Sequence, residues 1–373
     1  MPGMRWDWGA IETELQRLLD GVEYLALDRE RIEFFAEEIR AGRLAAGSNR
    51  LQVDPEPVSL ESIELLQELP EAKRTHYTEL GRNAVARGEV AVAVLNGGMA
   101  TRFGGVVKGV VEAIGERSFL ELKFQQARAQ GPVPFLVMNG FATHRPTLRF
   151  LAERGLQDDV LSFLQSVSLR LTPAGELFRD AAGALSPYAP GHGDFLSALR
   201  ASGRLAELSE QGIRVLTLSN VDNLGAQLDP VIVGYHIAHG RALTVELAET
   251  MGGDVGGAPA RVDGRLRIVE GFCFPEDFDF AQIRFINTNT FVMSLPALEK
   301  DYPLSWFYTE KTVAGARVVQ MERLIGELSA FVETAYLVTP RSGPQGRFFP
   351  VKTPEDLEAL RRDDVLCQRF AGR

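Results

Sequence analysis

The chain has 373 residues, long enough to bury a substantial core in one large domain with a smaller appendage. Hydrophobic residues at 45% and charged residues at 24% are ordinary globular values, and no apolar run approaches the roughly 20 residues of a membrane span. Lys and Arg number 40 against 50 Asp and Glu; the resulting −10 argues against a general nucleic-acid binder, which needs a basic face. A polyanionic ligand would need a locally positive cleft made by a few placed cations. The start, Met1-Pro2-Gly3-Met4-Arg5-Trp6-Asp7-Trp8, lacks the apolar core of a signal peptide, and Cys273 and Cys367 form neither a disulfide framework nor a metal-ligand spacing. The expectation is a soluble cytoplasmic protein with no nucleic-acid or membrane partner.

Residues 6–45 read as helices, with Ile11, Leu15, Leu18 and Leu19 at helical spacing and Ile32, Phe34, Phe35 and Ile39 as a second set. Asp54-Pro55-Glu56-Pro57 reads as a rigid break rather than an element interior. The predicted division is a helical lobe over 1–50 and a catalytic domain over 51–373, with a small appended segment from about 341. Beyond residue 50, short apolar runs at 90–95, 133–138, 167–171, 215–218 and 243–247 alternate with helix-like stretches. That alternation predicts an α/β fold with a mostly parallel sheet covered by helices. The runs at 265–270 and 285–293 are expected as antiparallel additions.

The run 90–95 empties into Asn96-Gly97-Gly98-Met99-Ala100-Thr101-Arg102-Phe103-Gly104-Gly105, with Lys108 shortly after. A buried strand opening into small residues lets backbone N–H groups approach a phosphate, although glycines also build ordinary tight turns. No register gives the Walker spacing, and Ala100 stands where the dinucleotide fingerprint needs its second glycine. Tyr188-Ala189-Pro190-Gly191-His192-Gly193-Asp194 places a histidine between glycines, before a helix for which Asp194 is the expected N-cap. His192 there is either structural or a hydrogen-bond partner for an anion. Ser219-Asn220-Val221-Asp222-Asn223-Leu224-Gly225-Ala226 follows another apolar run. At a strand's carboxyl end Asp222 suits a Mg²⁺ bridging to a phosphate, or an Asx turn.

These motifs, in this order, resemble the UDP-glucose pyrophosphorylase family. The loop Leu95-Asn96-Gly97-Gly98 with Thr101, Arg102 and Gly104 resembles its signature loop, and 219–226 its metal motif. Pro190-Gly191-His192-Gly193-Asp194 resembles its second binding loop. Softer likenesses are Phe163-Leu164-Gln165-Ser166, Asn287-Thr288-Asn289-Thr290 and Arg347-Phe348-Phe349-Pro350-Val351-Lys352. The likeness covers about residues 90–355. It implies a Rossmann-like nucleotide-diphospho-sugar transferase fold: a mixed, mostly parallel sheet flanked by helices, with the small N-terminal helical lobe.

The resemblance implies roles residue by residue. Leu95, Asn96, Gly97 and Gly98 would cradle the base and nucleotide, Gln165 would read the uracil edge and Gly191 would lie against it. His192 would contact the sugar phosphate. Asn220 would line the substrate site, and Gly253, Glu270, Asn287 and Asn289 would surround the sugar. Lys108 would be the transition-state lysine, Arg102 would hold the departing pyrophosphate, and Lys352 would reach the phosphates. Asp222 would bind Mg²⁺. The implied reaction joins UTP and a hexose 1-phosphate, foremost glucose 1-phosphate, into UDP-hexose and pyrophosphate. The attacking phosphate oxygen is already anionic, so no general base is needed. Rival readings are a UDP-N-acetylhexosamine pyrophosphorylase, a glycosyltransferase and a catalytically weak UDP-sugar-binding homologue; for the second, Asp222 lacks an acidic partner two residues away. Three departures stand out: Met99-Ala100 where relatives favour Leu-Gly, a shortened run from Gly104 to a single Lys108, and a chain stopping near 373 without the family's C-terminal β-helix. The last implies a monomer or small homo-oligomer not built through that module.

Overall fold

The structure is a computed structural model that describes residues 6–19, 22, 27–100, 105–252, 254 and 256–371 (for 99 and 100 the backbone alone). Eight strands form the central sheet: β1 (Glu64–Leu65), β2 (Val90–Asn96), β3 (Phe135–Asn139), β4 (Val160–Leu164), β5 (Val215–Asn220), β6 (Leu243–Glu249), β7 (Phe285–Ser294) and β8 (Thr334–Val338). Their spatial order is β1-β8-β6-β7-β5-β2-β3-β4. All run the same way except β7, which is antiparallel to both its neighbours, β5 and β6. Every residue of β2 is buried, as a strand covered on both faces must be, which is why the run reads as continuous Val, Ala and Leu.

Helices cover both faces. They include α1 (Trp8–Leu19), α2 (Arg29–Arg40), α3 (Glu71–Ala86), α4 (Phe119–Arg128), α5 (Phe141–Glu153), α6 (Phe195–Ala201), α7 (Arg204–Glu210) and α8 (Pro230–His239). One face packs Val92 and Val94 with Leu120, Phe124 and Tyr235. The other packs Ala91, Ala93 and Leu95 with Phe195, Leu199 and Leu208. Alternate residues of one strand thus seed two cores. Helices α3 and α8 cross at backbone contact: a Cβ on Gly81 would stand 1.9 Å from the Pro230 carbonyl oxygen, and one on Gly234 1.7 Å from that of Tyr77. Helices α1 and α2 bury Ile11, Leu15, Ile32, Phe35 and Ile39 in a third core shared with Val167, Leu169, Tyr308, Val319 and Met321.

The mixed, mostly parallel sheet matches the class predicted from the sequence, while three details differ. The run 167–171 is not a strand of the central sheet: Ser168–Leu169 pairs with Pro187–Tyr188, and the sheet strand is Val160–Leu164, whose half-exposed Ser162 hides it from a search for apolar runs. The antiparallel 285–294 strand sits inside the sheet rather than beside it; burial on both faces removes any pattern that would signal its direction. Arg265–Val269 does add antiparallel structure, as a hairpin with Ala258–Val262, and Glu56–Pro57 pairs on the edge of that hairpin, where a proline's missing donor is harmless.

Candidate functional site

The parallel strands β2, β3, β4 and β5 end side by side, in the register Leu95–Asn220, Asn96–Asn139 and Asn139–Leu164. Ligand clefts in open α/β sheets lie beyond such carboxyl ends. Here the cleft holds about 360 Å³ and gathers Leu95, Asn96, Gly97, Gly98, Lys108, Gln165, Gly191, His192, Asn220 and Asp222, with Met138, Ala189 and Val221. Residues far apart in sequence thus converge on one space.

The shortened loop reaches the cleft by folding back on itself. Met99–Ala100 pairs antiparallel with Val106–Val107, returning the chain to β2 at Lys108. Arg102 lies outside the described residues. The Asn96 side chain is the clamp: its Nδ2 donates to Asn139 Oδ1 (2.8 Å) and Thr147 Oγ1 (2.9 Å), and its Oδ1 accepts from Gly109 N (3.2 Å). Both amide hydrogens are therefore spent on holding the loop, and none remains for a ligand. Lys108 Nζ donates to Asp222 Oδ2 (2.5 Å) and to the Val351 carbonyl (2.6 Å), which leaves one of its three donors.

Asp222 stands just past β5, half-buried. Asn223 makes the Asx turn anticipated for this motif, its Oδ1 accepting from Gly225 N (3.2 Å), and also from Phe349 N (2.9 Å), which docks the C-terminal segment. Beneath lies a polar network that reading the motifs did not find. Lys123, 3% exposed, donates from Nζ to Ser219 Oγ (2.9 Å) and the Ala226 carbonyl (2.5 Å), bracketing the turn, and its burial pulls its pKa down to about 7. Arg347 forks onto Glu246 through Nε (2.6 Å) and Nη2 (2.9 Å). Lys123 sits on an amphipathic helix and carries no sequence mark of burial.

The opposite wall comes from β4 and the 188–194 turn. A Cβ on Gly97 would fall 1.9 Å from Gln165 Nε2, so any other residue here would displace that carboxamide. Gln165 is 4% exposed, and its buried Oε1 has no hydrogen-bond partner among the described residues. Gly191 has φ +89°, and its missing Cβ would strike the Arg323 carbonyl at 2.5 Å, so this glycine is doubly required. His192 Nδ1 accepts from Ile325 N (3.1 Å), which puts the ring proton on Nε2, and burial lowers its pKa to about 4. It is a neutral donor. Asp194 does not cap α6 with its side chain; its carboxylate instead accepts from Ser166 N (2.6 Å) and Ser166 Oγ (3.2 Å), binding the histidine turn to the Gln165 strand. Burial is the larger influence on Asp194 and raises its pKa to about 6.

Among the described residues, the remaining candidates do not line this cleft. Asn289 is one bond away, its Nδ2 donating to Asn220 Oδ1 (2.8 Å), while its φ of +55° and a buried unpartnered Oδ1 mark a constrained position. Asn287 Oδ1 accepts from Asn289 N (3.0 Å). Glu270 lies beyond, near Asn287 across Gly326, and burial beside Glu327 pushes its carboxyl up to about 7. Lys352 is exposed, its backbone N held by Asp356, although the preceding Val351 carbonyl touches Lys108. Gly253 lies outside the described residues. Among the described residues no three His, Cys, Asp or Glu side chains converge as a metal cage.

The cleft thus offers a fixed neutral donor, an unmatched carboxamide acceptor and a lysine–aspartate pair. The chain matches the family model of UTP–glucose-1-phosphate uridylyltransferase over residues 50–368. It is 30% identical over 337 residues to the UTP–glucose-1-phosphate uridylyltransferase of Saccharomyces cerevisiae, covering 83% of this chain and 64% of the relative. The Solanum tuberosum relative of the same name is 30% identical over 296 residues, 74% of this chain and 61% of its own. The chain therefore spans about three-fifths of the length of these relatives. Among solved structures, UDP-glucose phosphorylase from Trypanosoma brucei superposes with a TM-score of 0.76 at 27% identity, over 95% of this chain and 79% of that one. A variant of UDP-glucose pyrophosphorylase from Leishmania major in complex with UDP-glucose gives 0.72 at 26%, over 95% and 79%.

Proposed function

The chain belongs to the UTP–glucose-1-phosphate uridylyltransferase family, and from that premise we propose that it joins UTP and glucose 1-phosphate into UDP-glucose and pyrophosphate. The observation that carries the reading is the cleft itself, where ten residues of the family-like motifs meet around one space at the sheet's carboxyl edge. A phosphate oxygen of the sugar phosphate attacks the α-phosphorus of UTP in line, a new P–O bond forms, and the bond to the β-phosphate oxygen breaks to release pyrophosphate. Transfer of this kind is governed by alignment and charge neutralisation.

Gln165 and the Gly97–Gly98 backbone hold the uracil, Oε1 of Gln165 supplying the acceptor for its N3–H. His192 donates from Nε2 to the sugar phosphate. Lys108 turns its third N–H to the α-phosphate, with Asp222 and the Val351 carbonyl fixing its direction. Asn220 and Asn289 act together toward the sugar, with Asn287 and Glu270 behind them. Lys352 follows Val351 toward the phosphates when substrate binds. Asp222, whose Oδ2 accepts from Lys108, would offer its other carboxylate oxygen to a magnesium ion, which is commonly held by one or two protein carboxylates together with substrate phosphates and water. Bound there, the metal would neutralise growing phosphate charge. Free Cys273 and Cys367 fit a reducing, cytoplasmic setting.

Incubation with UTP, Mg²⁺ and a panel of sugar 1-phosphates, with pyrophosphate as readout, tests the reading. Fastest release with glucose 1-phosphate supports it. Fastest release with N-acetylglucosamine 1-phosphate, or silence across the panel with tight UDP-sugar binding, replaces it.

A further inference from the structure

A second cavity of about 540 Å³ shares a wall with the nucleotide cleft. The two spaces divide the same segments between them. Gln165 lines the cleft and Ser166 the cavity; Ala189, Gly191 and His192 line the cleft, and Pro190 and Asp194 the cavity. The wall is one chain thick. Its size falls in the range of small-molecule sites.

Two guanidiniums, Arg31 and Arg323, and two carboxylates, Asp28 and Asp194, line the cavity. Arg31 and Arg323 lie over the Trp306 ring, with Cζ 5.4 Å and 5.2 Å from its centroid. Arg31 is exposed and bonded to Asp28 (2.7 Å). Arg323 is half-buried; among the described residues its side chain makes a single long hydrogen bond, from Nη1 to Ser197 Oγ (3.3 Å), and its Nε is buried without a partner. The carboxylates around it are held by other groups, Asp28 by Arg31, Asp194 by Ser166, and Glu327 by Ser305. A guanidinium drawn out of water is ordinarily matched by an anion in contact; among the described residues the charges of Asp194 and Glu327 act on Arg323 from beyond ion-pair distance and none touches it.

We propose that the cavity is a binding site for a small oxyanion, a phosphate monoester or a carboxylate, held by Arg323 and Arg31 and separate from the nucleotide cleft. Ser168 and Ser197 supply further hydroxyl donors. The backbone of Arg323 links this ligand to the chemistry next door: Gly193 N donates to its carbonyl (2.8 Å), and its own N–H donates to the Pro190 carbonyl (2.7 Å). A ligand gripping the side chain bears directly on the turn that carries His192.

Calorimetric titration of the full chain with inorganic phosphate, glucose 6-phosphate and malonate tests this and separates phosphate from carboxylate ligands. At least one probe should bind, with affinity falling about tenfold or more in Arg323→Gln, the loss of a charge-assisted contact. Arg31→Gln, on an exposed side chain, should weaken the same probe, with thermal unfolding run alongside because Arg31 also bonds the helix-capping Asp28. Lys108→Ala, which alters only the cleft, should bind it within about twofold of the unmodified chain. The proposal falls if no probe binds, if both arginine variants bind as the unmodified chain does, or if binding is lost in Lys108→Ala instead.

Discussion

Gly97→Ala isolates the contact between the glycine loop and the Gln165 carboxamide proposed to read the uracil. The added methyl would sit 1.9 Å from Gln165 Nε2 and 3.5 Å from Gly140 N, so Gln165 has to move. Gln165 is 4% exposed, but its carboxamide borders the cleft and can swing into it, so the stability loss should fall at or below the low end of the roughly 1–3 kcal/mol that overpacking costs. Displacing the carboxamide also removes the hydrogen bonds it offers a uracil, about 1–3 kcal/mol or roughly 5- to 150-fold in Kd. Titration with UDP-glucose reads the second quantity and thermal unfolding the first. Gly98→Ala is the folding control, because a Cβ there has nothing within 4 Å, and it should melt like the parent chain. Gly97→Ala binding UDP-glucose within twofold of the parent would refute the reasoning.

Lys108→Ala should lower turnover by roughly 10²- to 10³-fold, the loss of one preorganised donor at developing charge, while UDP-glucose binding stays measurable by calorimetry; near-normal turnover removes Lys108 from the mechanism. Asp194→Ala leaves the Ser166 N–H unpaired, so thermal unfolding should report a loss of about 1–3 kcal/mol and KM for UTP should rise as Gln165 and His192 lose their common anchor; unchanged values would make the tie ornamental. His236, held between Thr244 and Ser294, has its pKa lowered by burial from 6.5 to about 4. The unfolded chain therefore binds the extra proton, so this contribution to stability is complete above pH 6.5 and lost as pH falls toward 4, up to about 3 kcal/mol. Melting curves of His236→Gln should depend less on pH in that window, and curves parallel to the parent's would contradict the assignment.

What could be read from the sequence was whatever the backbone must do locally. A strand buried on both faces has to be apolar throughout, so β2 announced itself, and the glycines at 97, 191 and 193 stand where a Cβ would collide with Gln165, Arg323 or Leu324. The convergence of Asp222, His192 and Gln165 was legible only through their motifs, because distances between loops depend on the strand order β5-β2-β3-β4, which local patterns do not specify. Lys123 and the Arg347–Glu246 pair escaped notice for a related reason: charged residues are ordinarily solvated, and their burial follows from tertiary packing alone. Asn96, expected to cradle the nucleotide, ends β2, and its amide hydrogens go to Asn139 and Thr147.

The central claim is attack on the α-phosphorus of UTP. Incubation with glucose 1-phosphate, Mg²⁺ and UTP labelled at either the α- or the γ-phosphate tests it directly. The account predicts α-label in UDP-glucose and γ-label in pyrophosphate. Label from the γ-position in a sugar phosphate, or no transfer of α-label at all, would contradict it.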